Sequence, residues 1–272
     1  MGQILLVRHG QASFGSSNYD QLSARGEGQA RMLGAWFAQR GQRVDQVVSG
    51  TMMRHRQTAR GCIDALQGAV ATSADLANAA TPGGMRDTDA LGKMQWQEDA
   101  GFNEYDHDAV LHCYRPEFAQ QGEVRRFIAA TENGNRVFQQ IFEDAMARWM
   151  SGAHDTEYRE PWPVFRQRCI DALARLVQAC GSSRTAIVFT SGGTIATLCQ
   201  HVLKMPDPQM FALNWTLVNS AVTKLYHRAA PVAQAPAASL SEQSAPRILS
   251  MGYLNSYAHL EITNDPQAIT YR

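Results

Sequence analysis

Short runs of consecutive apolar residues alternate along this chain with longer segments in which apolar residues recur at helical spacing. Ile4–Val7 and Ala186–Phe189 contain only apolar residues, which is typical of strands that are buried on both faces. A further strand is predicted at Val44–Val48. This alternation predicts an α/β fold, in which helices cover both faces of a sheet.

Several segments have the spacing and the end signals of helices. Ser23 is the predicted N-cap of the first helix, and Gly41 is its predicted stop. A second helix is predicted to open at about Met52, and Pro161 fits the start of a later one. The predicted helices cover residues 23–40, 52–66, 135–150, 161–180 and 194–203, and two later strands are predicted at 217–227 and 247–254.

Two stretches lack this periodicity. Residues 69–101 gain Asn, Thr, Pro and Gly, and Thr81-Pro82-Gly83-Gly84 marks a loop. Residues 229–246 are rich in Ala, Pro, Ser and Gln, which indicates a flexible excursion. We expect this second stretch to tolerate deletion better than any other.

Candidate functional residues lie where two predicted strands end. Arg8, His9 and Gly10 follow the first strand, and Arg54 falls in the first turn of the helix that follows Val44–Val48. Ligands of open α/β sheets bind beyond the carboxyl ends of the strands, and a helix N-terminus favours an anion. Since a guanidinium also suits phosphate oxygens, the pattern indicates an anion site that contains a histidine.

Four ordered motifs resemble those of the histidine phosphatase superfamily, the phosphoglycerate mutase-like proteins. They are Leu6–Gly10, Ser49–Ala59, Phe102–Asp106 and Val188–Ile195. The resemblance implies a three-layer α/β/α sandwich with a mostly parallel central sheet. It also implies one histidine phosphatase domain over residues 1–272, with a helical cap inserted at about 108–160.

The resemblance also implies roles for individual residues. His9 is the expected nucleophile and Glu104 the expected general acid. Phosphate is expected to bind at the remaining matched positions, which are Arg8, Arg54, Ser191 and Gly192. No metal and no cofactor is expected. In the expected cap, Arg115, Arg125 and Arg126 are candidates for a second anionic group of the substrate, although each also fits a surface arginine.

One position departs from the family. Its relatives carry a second histidine directly before the glycine of the late motif, where this chain has Ser191. A hydroxyl still donates a hydrogen bond but carries no positive charge, so the transition state is expected to lose about 2 to 4 kcal/mol. A different histidine is a candidate substitute in space: His259 is the first choice, ahead of the others considered, which are His55, His107 and His227.

These expectations favour a metal-independent phosphomonoester hydrolase that works through a phosphohistidine on His9. The alternatives are a phosphoglycerate mutase-type phosphoryl-transfer enzyme and a catalytically weakened protein that binds phosphorylated ligands. In each case the partner is a small phosphorylated molecule. A serine hydrolase elbow at Ser191 is disfavoured, because Phe189 stands where the first glycine of that motif belongs.

Composition limits the possible ligands and location of the protein further. Twenty-five basic and 25 acidic residues give a formal net charge of zero, which argues against a general nucleic-acid-binding surface. No apolar run reaches membrane-spanning length, and no basic-then-apolar leader precedes Ile4, so a cytoplasmic protein is expected. The five cysteines lack metal-ligand spacing and are expected to be mainly small buried apolar residues: Cys62, Cys113, Cys169, Cys180 and Cys199.

Overall fold

A computed structural model describes residues 1–13, 20–79, 94–229 and 247–271. Among the described residues, strands and helices alternate from residue 2 to residue 114. The strands are β1 (Gly2–Arg8), β2 (Gln46–Ser49), β3 (Gln95–Glu98), β4 (Thr185–Thr190), β5 (Val222–Ala229) and β6 (Arg247–Ser256). The helices are α1 (Ala24–Gln39), α2 (Met53–Ala79), α3 (His107–Tyr114), α4 (Glu123–Ala130), α5 (Gly134–Met150), α6 (Trp162–Cys180), α7 (Gly192–Leu203), α8 (Asp207–Thr216) and α9 (Ala258–Glu261).

The described strands form one sheet in the order β3-β2-β4-β1-β5-β6. The pairs β2–β3, β2–β4 and β1–β4 are parallel, whereas β5 is antiparallel to both of its neighbours. The predicted mostly parallel sheet is therefore confirmed. Because β1, β2 and β4 run in the same direction, their carboxyl ends meet at one edge.

Alternate residues of the central strands pack into two separate apolar cores. Leu5 and Val7 belong to a cluster formed with α1 and α2 on one face of the sheet. Ile4 and Leu6 belong to the larger cluster on the other face, which includes α5, α6 and α7. This division follows from the two-residue period of a strand, and it confirms the expected three-layer α/β/α sandwich.

Most predicted elements are present, with shifted ends. Ser23 is the N-cap of α1, and its side chain accepts a hydrogen bond from the backbone N–H of Gly26. The apolar periodicity ends near residue 69, but the helix does not, since α2 continues to Ala79. Residues 71–79 are rich in alanine, whose high helix propensity sustains a helix without a periodic apolar face.

Strand β3 and helices α3, α4, α8 and α9 were not anticipated as individual elements. Strand β3 contains three polar residues and one tryptophan, and all four are exposed, so it shows no apolar alternation. Helix α8 begins at Asp207, directly after Pro206. In the sequence, Pro206 indicates only that the preceding helix has ended. The loop predicted at 81–84 and residues 230–246 of the predicted excursion lie outside the described residues.

The segment expected to form a cap is helical in large part. It contains α3, α4 and α5, and α5 begins one residue before the predicted helix. Trp149 of α5 packs against Tyr105, Trp162 and Phe165, so an aromatic cluster joins this segment to α6 and to the chain around residue 105. The division of the chain into a domain and a cap stays a prediction.

The cysteines fit the expectation for apolar residues. Four of the five are buried, and all five are free thiols: Cys62, Cys113, Cys169, Cys180 and Cys199. Within the described residues, no helix combines the length and the hydropathy needed to cross a bilayer.

Candidate active site

The site forms at the edge where β1 and β4 both end. Arg8 is paired with Thr190 in the parallel register, and the backbone N–H of His9 donates to the Thr190 carbonyl at 2.8 Å. The residue directly after β4 is Ser191, which precedes helix α7. His9 and Ser191, which are 182 positions apart in the sequence, therefore directly follow adjacent strands.

His9 is held in one tautomer. Its Nδ1 lies 2.7 Å from the carbonyl oxygen of Gly10, and because a carbonyl can only accept, Nδ1 carries the proton. Burial, with the charges of Arg54, His55 and Arg8, holds the pKa of His9 well below its usual range. The ring is therefore neutral, and Nε2 keeps its lone pair.

Two arginines supply positive charge beside His9. Arg54 is 4% exposed, and its Nη1 donates to Asp20 Oδ1 at 2.8 Å. The other carboxylate oxygen of Asp20 accepts from the first backbone N–H of α2 at 2.8 Å, so Asp20 fixes the guanidinium at the helix N-terminus. Arg8 donates to the carbonyl of Leu217, and a Cβ added at Gly192 would lie 3.4 Å from its Nε.

Glu104 lies against the start of α7. Its Oε2 accepts from the backbone N–H of Gly193 at 2.9 Å, and a side chain at position 193 would overlap the carboxylate, so the glycine permits this approach. Burial raises the pKa of Glu104, while the Gly193 N–H, Arg54, the Tyr105 N–H and Arg8 lower it in part. The net rise favours the protonated form that a general acid needs.

The segment that carries Glu104 is fixed at both sides. The side chain of Asn103 accepts from the backbone N–H of Thr51 at 2.7 Å and donates to the Thr51 hydroxyl at 2.8 Å. Arg168 donates to three backbone carbonyls in the stretch 100–103 and pairs with Glu160 at 2.7 Å. Glu104 is therefore held between the loop before α2 and helix α6.

A second imidazole is buried beside His9. The rings of His9 and His55 have centroids 5.7 Å apart, and His55 is 0% exposed. Its Nε2 lies 2.6 Å from the Ser191 Oγ. Burial, with the charge of Arg54, holds the pKa of His55 well below its usual range.

The other histidines considered from the sequence have other partners or positions. His259 is buried and pairs with the Ser220 hydroxyl at 2.8 Å, His227 pairs in register with Gly2 at the amino end of β1, and His107 opens α3. The preference for His259 as the substitute is therefore not supported, since the structure brings His55 to Ser191. The sequence order of Arg54 and His55 does not reveal which side chain of the first helical turn faces β4.

Two of the three arginines considered for a second anionic group are paired locally. Arg115 lies 2.5 Å from Glu117, and Arg126 lies 2.8 Å from Glu123. Both pairs link near neighbours in the sequence and involve exposed side chains.

Several contributors were missed from the sequence. Asp20, Asn103 and Arg168 act on the site through bonds to loops that are distant in the chain, so no local pattern marks them. Asn214 of α8 was missed as well, and a Cβ at Gly192 would overlap its Oδ1. The described residues contain no group of three or more His, Cys, Asp or Glu side chains arranged to hold a metal ion.

At this sheet edge a buried histidine of lowered pKa lies near two arginines and a buried carboxyl group. A family model described as the histidine phosphatase superfamily (branch 1) matches residues 4–134 and 133–232. The chain belongs to this superfamily. A search of curated protein sequences found no match.

The fold is similar to those of several solved structures. A phosphoglycerate mutase from Bacillus anthracis has a TM-score of 0.57 at 13% identity, over 97% of this chain and 96% of that chain. A structure described as mycobacterial hydrolase 2 has a TM-score of 0.55 at 18% identity, over 93% and 90%. A mycobacterial glucosyl-3-phosphoglycerate phosphatase, determined in complex with VO3, has a TM-score of 0.52 at 16% identity, over 93% and 99%. At these identities the likeness establishes the fold.

Proposed function

We propose that this chain is a phosphomonoester hydrolase that forms a phosphohistidine on His9 and requires no metal ion. The observation that carries the proposal is the hydrogen bond from His9 Nδ1 to the Gly10 carbonyl. It leaves Nε2 as the nitrogen with a free lone pair, on a ring whose pKa is lowered by burial and by two arginines. Both arginines also offset the charge of a phosphoryl group.

In the first step, Nε2 of His9 attacks phosphorus in line with the ester oxygen. The P–N bond forms as the P–O bond breaks, and the carboxyl proton of Glu104 passes to the departing oxygen. In the second step, the Glu104 carboxylate accepts a proton from water, and the water oxygen attacks phosphorus. The P–N bond breaks, which restores the lone pair of Nε2 and releases inorganic phosphate.

A hydrolase is preferred to a mutase because of the charges in the expected cap. A mutase of phosphorylated acids must hold a second anionic group near the reacting phosphoryl group. Arg115 and Arg126 are paired with Glu117 and Glu123, and this pairing offsets the charge that such a group would need.

The proposal is tested with p-nitrophenyl phosphate in the presence of a chelator. The wild-type protein is expected to release phosphate, whereas His9→Ala is expected to be inactive. The matched control is His107→Ala, which removes an exposed imidazole outside the site and should retain the wild-type rate. Rapid quenching followed by mass spectrometry is expected to find the phosphoryl group on the peptide that contains His9.

Three results would count against the proposal. Turnover that persists in His9→Ala, or an adduct on Ser191, would remove His9 as the nucleophile. Activity that a chelator abolishes and a divalent cation restores would overturn the metal-free mechanism. Tight vanadate binding without turnover of any phosphorylated metabolite would favour the phospho-ligand binding protein.

A further inference from the structure

Ser191 precedes helix α7 in the N-cap position but does not cap it. An N-cap serine normally accepts a hydrogen bond from a backbone N–H of the first helical turn, yet the side chain of Ser191 makes no such bond among the described residues. Its hydroxyl is instead 2.6 Å from His55 Nε2. The side chain therefore gives up a stabilising local contact for a contact with an imidazole on another helix.

The surroundings of His55 indicate which of its nitrogens carries the proton. Its Nδ1 is buried and has no hydrogen-bond partner within the described residues, and a Cβ on Gly50 would overlap this atom. A buried N–H without an acceptor is rarer and costlier than an acceptor without a donor. The favoured tautomer therefore has the proton on Nε2, which donates to the Ser191 Oγ.

This tautomer sets the direction of the Ser191 hydroxyl. Since its oxygen accepts from His55, its own proton is available for another acceptor. Ser191 follows Thr190, whose carbonyl binds the backbone of His9, and it precedes Gly192, where the Arg8 side chain lies. An oxygen of a phosphoryl group on His9 is the acceptor that this position suits.

We propose that His55 is a positioning residue that acts through Ser191, by holding the Ser191 hydroxyl as a hydrogen-bond donor to the transferring phosphoryl group. The second imidazole of the site is thereby supplied from α2 instead of from the turn before α7. This inference rests on the proposed function, and it explains why a serine at position 191 is compatible with a working site.

The test moves an imidazole from position 55 to position 191. The variants are His55→Ala, Ser191→Ala, the double alanine variant, and the double variant His55→Ala with Ser191→His. The alanine at position 55 vacates the space beside residue 191, so the new imidazole can occupy it. His227→Gln is the matched control, because it removes an imidazole that is 1% exposed at the opposite end of β1.

Each single alanine variant is expected to lower kcat for p-nitrophenyl phosphate about 10²-fold, with little change in KM, because the hydrogen bond strengthens in the transition state. The double alanine variant is expected to be no slower than the slower single variant, since the two residues act as one unit. The transposed variant is expected to recover at least about tenfold over His55→Ala. His227→Gln should keep the wild-type kcat.

Two outcomes overturn the inference while leaving the proposed function intact. One is His9-dependent turnover that His55→Ala does not slow, and the other is a transposed variant no faster than His55→Ala. Absence of His9-dependent turnover in the wild-type protein would instead overturn the proposed function. His55→Asn, with circular dichroism of every variant, separates loss of the hydrogen bond from loss of folding.

A measurement on the wild-type protein does not depend on the activity of any variant. Nitrogen-15 spectra of the labelled histidines report which nitrogen carries the proton, and His55→Asn identifies the His55 signals. The inference expects the proton on Nε2 of His55 and on Nδ1 of His9. A proton on Nδ1 of His55 would make Ser191 the donor to the imidazole, and the inference would be wrong.

Discussion

His9 and Glu104 show how burial produces opposite and complementary protonation states at one site. Burial disfavours the charged form of either group, so it lowers the pKa of His9 and raises that of Glu104. Burial therefore favours the neutral form of both groups, which the proposed mechanism requires of its nucleophile and of its proton donor. The nearby arginines lower both pKa values, which adds to the effect of burial on His9 and opposes it on Glu104.

The raised pKa of Glu104 leads to a prediction about pH and leaving group. As the pH rises through this pKa, the carboxyl loses the proton it must donate, so kcat/KM for alkyl phosphates is expected to fall. Glu104→Gln is expected to remove this pH dependence and to lower kcat/KM for alkyl phosphates about 10²- to 10⁴-fold. The kcat/KM for p-nitrophenyl phosphate, whose leaving group needs little protonation, should fall far less.

The measurement is a pair of pH profiles, one for each substrate, on the wild-type protein and the variant. Glu98→Gln is the control, because it removes a carboxylate of a surface ion pair with Arg56 that contributes little. Equal losses on both substrates would exclude Glu104 as the general acid.

Helix α2 is the element that assembles most of the site. It carries Arg54 and His55 in its first turn. The hydroxyl of Thr58 accepts from the backbone N–H of Gly10 at 3.0 Å, and the Gln57 side chain accepts from the backbone N–H of Leu22 at 2.8 Å. The same helix therefore supplies a cation and an imidazole, and it also binds the backbone at Gly10 and Leu22.

The sequence predicts this element better than it predicts the geometry at its start. The basic cluster and the apolar spacing locate α2 and place Arg54 in its first turn. They do not indicate that His55 reaches Ser191, because adjacent residues of a helix point about 100° apart. Only the docking of α2 on the sheet decides which of them faces β4.

Elements with weak local signals were missed for a related reason. Among the described strands, β3 pairs only with β2, and its residues are polar enough to face solvent at the sheet edge. Backbone pairing with a neighbouring strand stabilises it, so its own side chains need no alternation. Ser23, in contrast, was identified correctly because a helix cap is a local interaction.

The contact between α1 and α2 gives a prediction at the scale of elements. A Cβ on Gly34 would overlap the backbone carbonyl of Cys62, which cannot move without shifting α2. Gly34→Ala is therefore expected to lower the free energy of unfolding by about 1–3 kcal/mol. In the same helix, a Cβ on Gly28 meets only the end of the Met32 side chain at 4.0 Å. Gly28→Ala should therefore raise the free energy of unfolding by up to about 1 kcal/mol.

Urea denaturation of both variants measures this difference. The two substitutions add the same methyl group to the same helix, so the gain in helix propensity is the same in both variants. Equal stability of the two variants would show that α1 and α2 are not in close contact at Gly34.

Across the whole molecule, the site draws on four segments that are distant in the sequence: residues 8–10, 54–55, 104 and 191–193. Each follows a strand or a short turn at the same sheet edge, so the sheet itself brings them together. The four motifs that identify the family are these same segments. Sequence reasoning located the site for this reason, whereas the bonds between the segments required the structure.

Burial of histidines through the molecule leads to a last prediction. His9, His55, His227 and His259 are at most 6% exposed, and burial lowers the pKa of each, that of His259 to about 4. In the unfolded chain these side chains bind protons below about pH 6.5, where the folded state does not. The free energy of unfolding is therefore expected to fall as the pH falls below that value, by about 1.4 kcal/mol per pH unit for each histidine that stays neutral.

Denaturant unfolding between about pH 5 and 8 tests this dependence. The slope should decrease in His259→Gln, which cannot be protonated, whatever that substitution does to stability at neutral pH. If His259→Gln kept the wild-type slope, His259 would have to be charged in the folded state, which its burial beside the Ser220 hydroxyl opposes.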